Sequence, residues 1–561
     1  MAKVNVKVKK RESLSDIFRN IASGVTGVFV FIILAVFPLY THDKYFDILK
    51  SRYVFYKVWT LSLVFILLAL GIAYLFIDYN NNVSSPSAIE RLVSAFKFEN
   101  LKKHIIITDI FFVVMIISMI ISVAGSGFKE EAFYGNAGRY QGLECWILYF
   151  FTYLAITRTF KFKIMYLDFA IIAGFIACIW GTLDFFMLDP FGFFVNVSEM
   201  QKGMFASSVG NLNTYTNYTI IVFALAGTLF MIEKNIVKAV FYAIAAFIGC
   251  AGSIYGLADN IVLGFFGFYL FIPFFAIQTR RHLLRYLILI DLLFISAFVF
   301  WLGLKLPHNE WQWSFFQEFM GKPGAPFIFI PVTVIVVIVA VILYKLKPNY
   351  GDVISNDLNP LDSVLPKQIF NVYIGIVVFG FALVTYILLD MNVFKQHTAL
   401  WSQIPSSYQL VLDDNWGTHR GHNWRIAFTN FTQNFSLFQK LFGYGPDTYL
   451  VVSERTFYEE MVSRYGEVYD SAHNEYINYL ICEGLVGLVS YLGILITSVR
   501  CGIKNMKNNP YIVACAIAVL AYAVQAIVNI AIPITTPVFF TLMFMCANEE
   551  IKNKELLNTT V

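Results

Sequence analysis

The sequence predicts an all-α membrane protein, a polytopic helical bundle of about 14 (roughly 12–14) transmembrane helices with one large extracytoplasmic loop. Hydrophobic residues make up 58% of the 561 residues and charged residues only 14%. A soluble domain carries roughly 45–50% apolar and about 25% charged residues. Apolar runs approaching the roughly 20 residues needed to cross a bilayer recur along the chain. Clusters of Lys and Arg separate alternate runs, as expected for a polytopic protein.

Fourteen apolar runs are candidate spans. In chain order they lie near 21–41, 53–77, 105–124, 143–157, 164–188, 214–232, 236–250, 257–277, 286–305, 327–346, 370–389, 476–499, 511–530 and 534–547. The predicted organisation is a cytoplasmic tail over 1–20, spans 1–11 over 21–389, a large loop over 390–475, spans 12–14 over 476–547 and a second tail over 548–561.

The short loops predict the orientation. Lys- and Arg-rich segments follow even-numbered spans at 91–104, 158–163, 279–285, 344–348 and 500–510, and the N-terminal tail is basic too. Because such segments stay on the cytoplasmic side, both termini face the cytoplasm and the long loop faces outward. The net charge of +4 does not indicate a nucleic-acid partner. The seven scattered cysteines form no CxxC pair and suggest neither a disulfide framework nor a zinc site.

An aromatic stripe runs through the long loop. Its members are spaced four, three, four and three residues apart, and they are Trp424, Phe428, Phe431, Phe435 and Phe438. This spacing predicts an amphipathic helix that lies on the membrane surface with its aromatic face toward the lipid.

Three basic side chains carry the candidate chemistry. Arg420 and Arg425 stand at the start of the predicted amphipathic helix, and Arg forms bidentate hydrogen bonds to phosphate. His473 directly precedes the twelfth span, with Asn474 and Tyr476 beside it. The positive end of a helix dipole disfavours an imidazolium, and a neutral imidazole can accept a proton from a hydroxyl. The alternative is a solvated arginine pair and an exposed interfacial histidine.

Other polar residues give weaker signals. Acids in or near predicted spans are functional candidates, although those at span ends often cap helices or reach toward water; they are Asp109, Asp184, Asp259, Asp291 and Glu483. Asn211 and Asn213 precede a helix and fit a cap, and Arg139 fits a surface charge.

Taken together, four blocks resemble the O-antigen ligase and O-antigen polymerase superfamily of polytopic membrane glycosyltransferases. They are Arg-Gly-x-x-Trp from Arg420, Gly-x-Gly-Pro-Asp-x-Tyr from Gly443 with Asp447, His-Asn-x-Tyr from His473, and Glu-Gly-Leu-x-Gly-Leu from Glu483. Gly-Asn-x-Asn at 210–213 and the loop around Arg139 are weaker signatures. The likeness in topology covers most of the chain, whereas the specific motifs concentrate in its last quarter.

This resemblance implies an enzyme that transfers or ligates a glycan from a polyprenyl diphosphate, usually undecaprenyl diphosphate, to a glycan or lipid-linked acceptor. It implies the bacterial cytoplasmic (inner) membrane and no nucleotide sugar, metal or other cofactor. His473 would activate the acceptor hydroxyl, and Arg420 would neutralise the diphosphate, with Arg425 as a second candidate. Arg425, Asn474, Tyr476, Asp447, Arg139, Asn211 and Asn213 are the predicted substrate-binding residues.

One departure from the family pattern concerns the outer end of a central span. Ligases usually carry a Ser-Arg-Gly-like element there, whereas the matching region has Ser253 and no Arg. Arg139, Lys202 or Arg425 would have to substitute. A polymerase of lipid-linked repeat units shares the same motifs and stays open, as does a non-catalytic polysaccharide or lipid transporter, although no paired internal repeat is evident.

Overall fold

The computed structural model describes residues 13–135, 139–277, 279–310, 315–324, 326–345, 367–403 and 410–560. Residues 1–12 of the predicted N-terminal tail lie outside this range. Within it the chain is helical apart from a two-stranded antiparallel sheet, β1 (Phe205–Ala206) and β2 (Gly210–Asn211). The all-α membrane class is confirmed, since many of the helices are long and apolar.

The N-terminal half of the bundle contains thirteen helices. They are α1 (Leu14–Phe31, extended by π and 3-10 turns to Leu39), α2 (Ile48–Asn80), α3 (Ala88–Ala95), α4 (Phe98–His104), α5 (Ile107–Gly125), α6 (Lys129–Tyr134), α7 (Leu143–Thr159), α8 (Met165–Phe185), α9 (Glu199–Lys202), α10 (Leu212–Ile232), α11 (Ile236–Tyr255), α12 (Asn260–Ala276) and α13 (Arg280–Gly303).

The remaining helices include those of the long loop. They are α14 (Phe315–Met320), α15 (Pro326–Lys345), α16 (Lys367–Leu389), α17 (Thr398–Trp401), α18 (Trp416–Thr429), α19 (Leu437–Phe442), α20 (Tyr449–Tyr465), α21 (Glu475–Cys482), α22 (Gly484–Lys504), α23 (Ile512–Gln525) and α24 (Thr536–Thr560). Every predicted span thus overlaps one or two helices of the described residues.

Nine helices in the described residues are long and apolar enough to cross a membrane. They are Leu14–Leu39, Ile48–Asn80, Ile107–Gly125, Met165–Phe185, Leu212–Ile232, Ile236–Tyr255, Arg280–Gly303, Phe370–Phe394 and Gly484–Lys504. Three further helices are also apolar but shorter, and they are Asn260–Phe275, Ile328–Val339 and Ile512–Val528. The structure establishes an integral membrane protein, and the count of fourteen spans stays a prediction.

Several predicted boundaries differ from the structure, among them that of the C-terminal tail, because α24 runs on to Thr560. α1 begins at Leu14, inside the predicted tail, because Ser13 and Asp16 form a reciprocal capping box. The predicted twelfth span is two helices, α21 and α22, which meet at Glu483 and at Gly484, whose φ is +72°. The break matters for the site because the loop from Gly443 packs into it.

Burial orders the bundle from centre to periphery. α10 is the central helix: 94% of its most apolar stretch is buried, and it packs against α8, α11, α12 and α23. None of the corresponding stretch of Phe370–Phe394 is buried, so α16 lies at the periphery, where an apolar surface suits lipid.

The basic clusters gather at one end of the bundle. Contacts join the segments that carry them to neighbouring helix ends: Lys161 with Asn20, Lys554 with Ile105, Lys504 with Glu550, and Arg285 with Phe230. Three clusters meet at α24, because Asn548 donates to the Phe160 carbonyl, Lys554 donates to the Ile105 carbonyl and Lys504 pairs with Glu550. Glu233 brings in the fourth, since it accepts from both Arg285 and Tyr511. The fifth, at 344–348, lies largely outside the described residues.

The aromatic stripe does not form one continuous helix face. α18 ends at Thr429 and passes through a π turn, and α19 starts anew after Ser436, whose side chain caps it together with Gln439. Trp424, Phe431 and Phe435 pack into a second hydrophobic core inside the loop. Phe428 and Phe438 stay exposed and are the members available to a membrane surface.

The loop following α19 fits against the break between α21 and α22. The N–H groups of Tyr444 and Gly445 donate to the carbonyls of Ile481 and Cys482, both at 3.1 Å. A Cβ on Gly443 would overlap the Cys482 carbonyl, and one on Gly484 would overlap the backbone of Gly443. Two motifs that are forty residues apart in sequence therefore form one backbone contact.

This contact gives a stability prediction. Gly443→Ala introduces a steric overlap and a left-handed residue, at a combined cost of about 3 kcal/mol. Gly466→Ala is the matched control: Gly466 has φ of +67° but open space around it, so only about 1 kcal/mol is lost. Thermal unfolding of the purified full-length variants should show the larger fall in Tm for Gly443→Ala. Equal falls would contradict the packing.

Candidate functional site

The segment that carries His473 is held by α18 of the long loop. The Asn423 side-chain amide donates to the Ser471 carbonyl at 2.8 Å, and the Trp424 indole N–H donates to the Ala472 carbonyl at 2.9 Å. Tyr449 in turn donates its hydroxyl to the Asn423 side-chain oxygen at 2.5 Å. Residues of the Arg-Gly-x-x-Trp block therefore fix the two residues that precede His473.

His473 stands at the entrance to α21 with a left-handed backbone, φ 48°. Asn474 caps the helix, since its side-chain oxygen accepts from the N–H groups of Tyr476 and Ile477. The Tyr476 hydroxyl donates to the Ala523 carbonyl at 2.6 Å. Asn474 and Tyr476 were predicted to bind substrate; their observed contacts orient His473 and tie α21 to α23.

Two guanidinium groups act electrostatically on His473. Arg139 forms an ion pair with Asp470. Arg420 opens the regular part of α18, where its Nη1 donates to the Gly417 carbonyl at 2.6 Å and its Nε is buried without a hydrogen-bond partner among the described residues. The sequence placed these two arginines 281 residues apart, and the fold brings both to the same histidine.

The next residue of the motif, Gly421, must be a glycine because the backbone of Asp413 passes very close to it. A Cβ at this position would overlap the Asp413 carbonyl. The glycine thus lets the chain before α18 fold back against the helix start, which holds Arg420 in place.

The two cations control the protonation of His473. Burial, Arg420 and Arg139 together lower the pKa of His473 to about 4, with Asp470 opposing them. Burial also lowers the pKa of Arg420, which Asp259 opposes. The imidazole is therefore neutral at pH 7, and the two cations that act on it would suit an anion.

Asp259 acts electrostatically on Arg420 from the residue directly before α12. Its side chain makes no capping hydrogen bond to that helix. The adjacent Asn260 donates to Asn213, whose carbonyl also accepts from Asn529 at 3.1 Å. Asn213 is thus linked to the residue that follows Asp259. Asn211 caps α10 by accepting from the Asn213 N–H at 2.9 Å, as its sequence position suggested.

Ser253 stands where the family pattern has an arginine. It is fully buried, and its hydroxyl bonds to Thr219 and to the Gly249 carbonyl, both at 2.7 Å. Arg139, one of the substitutes considered from the sequence, is the second cation that acts on His473; its role as a replacement for the missing arginine stays a prediction.

Arg425 takes part in a different set of contacts. It pairs with Asp414 at 3.0 Å and Glu460 at 2.5 Å, and Arg464 bridges the same two acids. The buried His422 also bonds to Glu460, at 3.1 Å. This network joins α18 to α20 and raises the pKa of Arg425 through its acidic partners. A diphosphate contact for Arg425 stays a prediction.

Asp447 joins two segments of the site. Its Oδ2 accepts from the backbone N–H of Gln141 at 3.1 Å, which holds the Arg139 segment against the Gly-x-Gly-Pro-Asp loop. Through this hydrogen bond, Asp447 helps to position Arg139, which lies two residues before Gln141. Among the residues described here, no group of three His, Cys, Asp or Glu side chains is arranged to hold a metal ion.

No protein-family model matches the chain, and a comparison with curated proteins finds no match. The site is therefore interpreted from its own geometry.

The geometry predicts the titration of His473. In full-length protein labelled at histidine, its NMR signal, assigned by its loss in His473→Ala, should titrate with a pKa of about 4. Arg139→Ala removes one cation and should raise that pKa. Arg455→Ala removes an exposed arginine of the same loop and should leave it unchanged. A pKa near the usual 6.5 in the unaltered protein would contradict the arrangement.

Proposed function

We propose that the protein is a membrane glycosyltransferase that moves a glycan from a polyprenyl diphosphate to a surface acceptor, as an O-antigen ligase does. The observation that carries the proposal is that Arg420 and Arg139 both act electrostatically on a neutral His473, whose segment is held by hydrogen bonds from the Arg420 helix. Two guanidiniums suit a diphosphate, and a neutral imidazole suits a hydroxyl that must lose its proton.

The donor would lie with its diphosphate between Arg420 and Arg139. As the bond between the anomeric carbon and the phosphate oxygen breaks, its electron pair moves onto the diphosphate, and fixed cations stabilise that charge. Arg420 offers a buried Nε without a hydrogen-bond partner among the described residues. Arg139 would exchange part of its contact with Asp470 for the donor.

The acceptor hydroxyl would approach His473. Its oxygen forms the new glycosidic bond while its proton passes to the imidazole. The hydrogen bonds from Asn423 and Trp424 fix the segment before the histidine, which limits its movement during attack.

We also propose about 14 spans, with both termini cytoplasmic and the loop over 390–475 outside the bacterial cytoplasmic (inner) membrane. The gathering of basic clusters at one end of the bundle supports this orientation. The polar pocket, at the other end, would then face the side where lipid-linked glycans are assembled. A polymerase of lipid-linked repeat units would use the same three side chains with a different acceptor.

Alanine substitution of each of the three side chains tests the proposal. His473→Ala, Arg420→Ala and Arg139→Ala should each lower glycan transfer by about 100-fold or more, since each removes a base or a charge-stabilising group. Membrane abundance should be unchanged. Transfer is measured as finished glycan in a deletion strain that expresses each variant.

Two matched controls separate chemistry from folding. His42→Ala removes an exposed histidine paired with Asp47, and Arg455→Ala an exposed arginine; both should retain full transfer. Mass spectrometry of the deletion strain distinguishes the alternatives. Full-length lipid-linked chains accumulate if a ligase is lost, single repeat units if a polymerase is lost, and product trapped inside if a transporter is lost. Full transfer by all three alanine variants would refute the catalytic site.

A further inference from the structure

A narrow, largely enclosed cavity lies next to the segment that carries His473 and has no role in the reaction described above. Ser471 and Glu475, which stand two residues before and two residues after the histidine, both line it. Arg139 also lines it and is one of the two cations that act on the histidine. The remaining polar lining residues are Gln141, Asp447, Asn478, Tyr479 and Glu483.

Several buried polar atoms at this cavity have no hydrogen-bond partner among the described residues. They are Nε2 of Gln141, Oε2 of Glu475 and Oε2 of Glu483, in side chains that are more than nine-tenths buried. Buried polar atoms are nearly always hydrogen-bonded. An amide donor and two carboxylate acceptors facing one small space suit water, which donates and accepts.

Glu475 is the best placed of the carboxylates to exchange a proton. It lies two residues after His473, and its Oε1 accepts from the Tyr491 hydroxyl at 2.5 Å. Burial raises the pKa of Glu475 to about 7, while nearby hydroxyls of Tyr491, Tyr479 and Tyr522 favour the charged form. The pKa of His473 is about 4, so a proton is more stable on Glu475 than on the imidazole.

We propose that Glu475 is the final acceptor of the proton released by the acceptor hydroxyl, and that water in this cavity carries the proton from His473. The inference rests on the proposed transferase function and extends it, because burial and the two cations together prevent His473 from retaining a proton. Charged or titratable groups face Glu475 and its cavity from every neighbouring element: Arg139, Asp447, Tyr479, Glu483, Tyr491 and Tyr522.

Each bond that breaks in this step is matched by a bond that forms. The hydroxyl O–H bond breaks as its oxygen bonds to the anomeric carbon, and the proton passes to the imidazole. A water molecule donates a proton to the Glu475 carboxylate while it accepts the one on His473. The carboxylate becomes a neutral acid, the imidazole regains its neutral form, and the diphosphate leaves with the electron pair of the broken bond.

The test uses Glu475→Gln, which keeps the shape and the hydrogen bond from Tyr491 but cannot take up a proton. Transfer is followed in membranes that carry the cell's own lipid-linked glycan, over a range of pH on both sides of neutral. In the unaltered protein transfer should rise with pH to half its maximum near pH 7, because only the carboxylate accepts a proton. Glu475→Gln should be about 100-fold slower and lack this rise.

Two further variants separate proton transfer from structure. Tyr491→Phe removes a donor to the charged carboxylate, so the rise should move to higher pH while the maximal rate is kept. Glu454→Gln changes an exposed acid of the long loop and should behave as the unaltered protein. A merely structural role for Glu475 would not produce the shift with Tyr491→Phe.

The results distinguish this inference from the proposed function. If Glu475→Gln transfers at the unaltered rate and pH dependence while His473→Ala is inactive, the proton route is wrong and the transferase stands. If His473→Ala is also fully active, the proposed function fails and the route with it.

Infrared spectroscopy of the purified protein tests the protonation of Glu475 without any glycan donor. We expect a carboxylic-acid band that titrates near pH 7 and is lost in Glu475→Gln. The absence of this band from the unaltered protein overturns the proposal.

Discussion

The candidate site depends on two hydrogen bonds that join distant parts of the long loop. Asn423 and Trp424 hold the carbonyls of Ser471 and Ala472 and so fix the position of His473. Arg420 lies one turn before Trp424 on the same helix, so the contact that orients the histidine also sets the position of the cation. Without these two hydrogen bonds, nothing in the loop would hold His473 and Arg420 in a fixed arrangement.

The two arginines that act on His473 are only partly neutralised by nearby acids. Arg139 has Asp470 as an ion-pair partner, and Asp259 acts on Arg420, yet both cations still depress the pKa of His473. Burying cations costs free energy unless they are paired, so natural proteins keep such arrangements mainly where a ligand supplies the missing charge. This is the physical reason to interpret the pocket as an anion site.

Much of this was predictable from sequence, because spans and helix faces leave local patterns. The apolar runs predicted the helices, and the motif order pointed to Arg420 and His473. Long-range contacts leave no such pattern. Nothing local shows that Arg139 reaches His473, or that Arg425 pairs with Asp414 and Glu460. The aromatic stripe failed for a local reason: Ser436 starts a new helix where the period continues.

The most direct test of the account is the structure of the full chain in a lipid nanodisc with undecaprenyl diphosphate, determined by cryo-electron microscopy. The account predicts density for the diphosphate between the guanidiniums of Arg420 and Arg139, next to the imidazole of His473. Density for the diphosphate beside Arg425 and Arg464, or at the end of the bundle that carries the basic clusters, would contradict it.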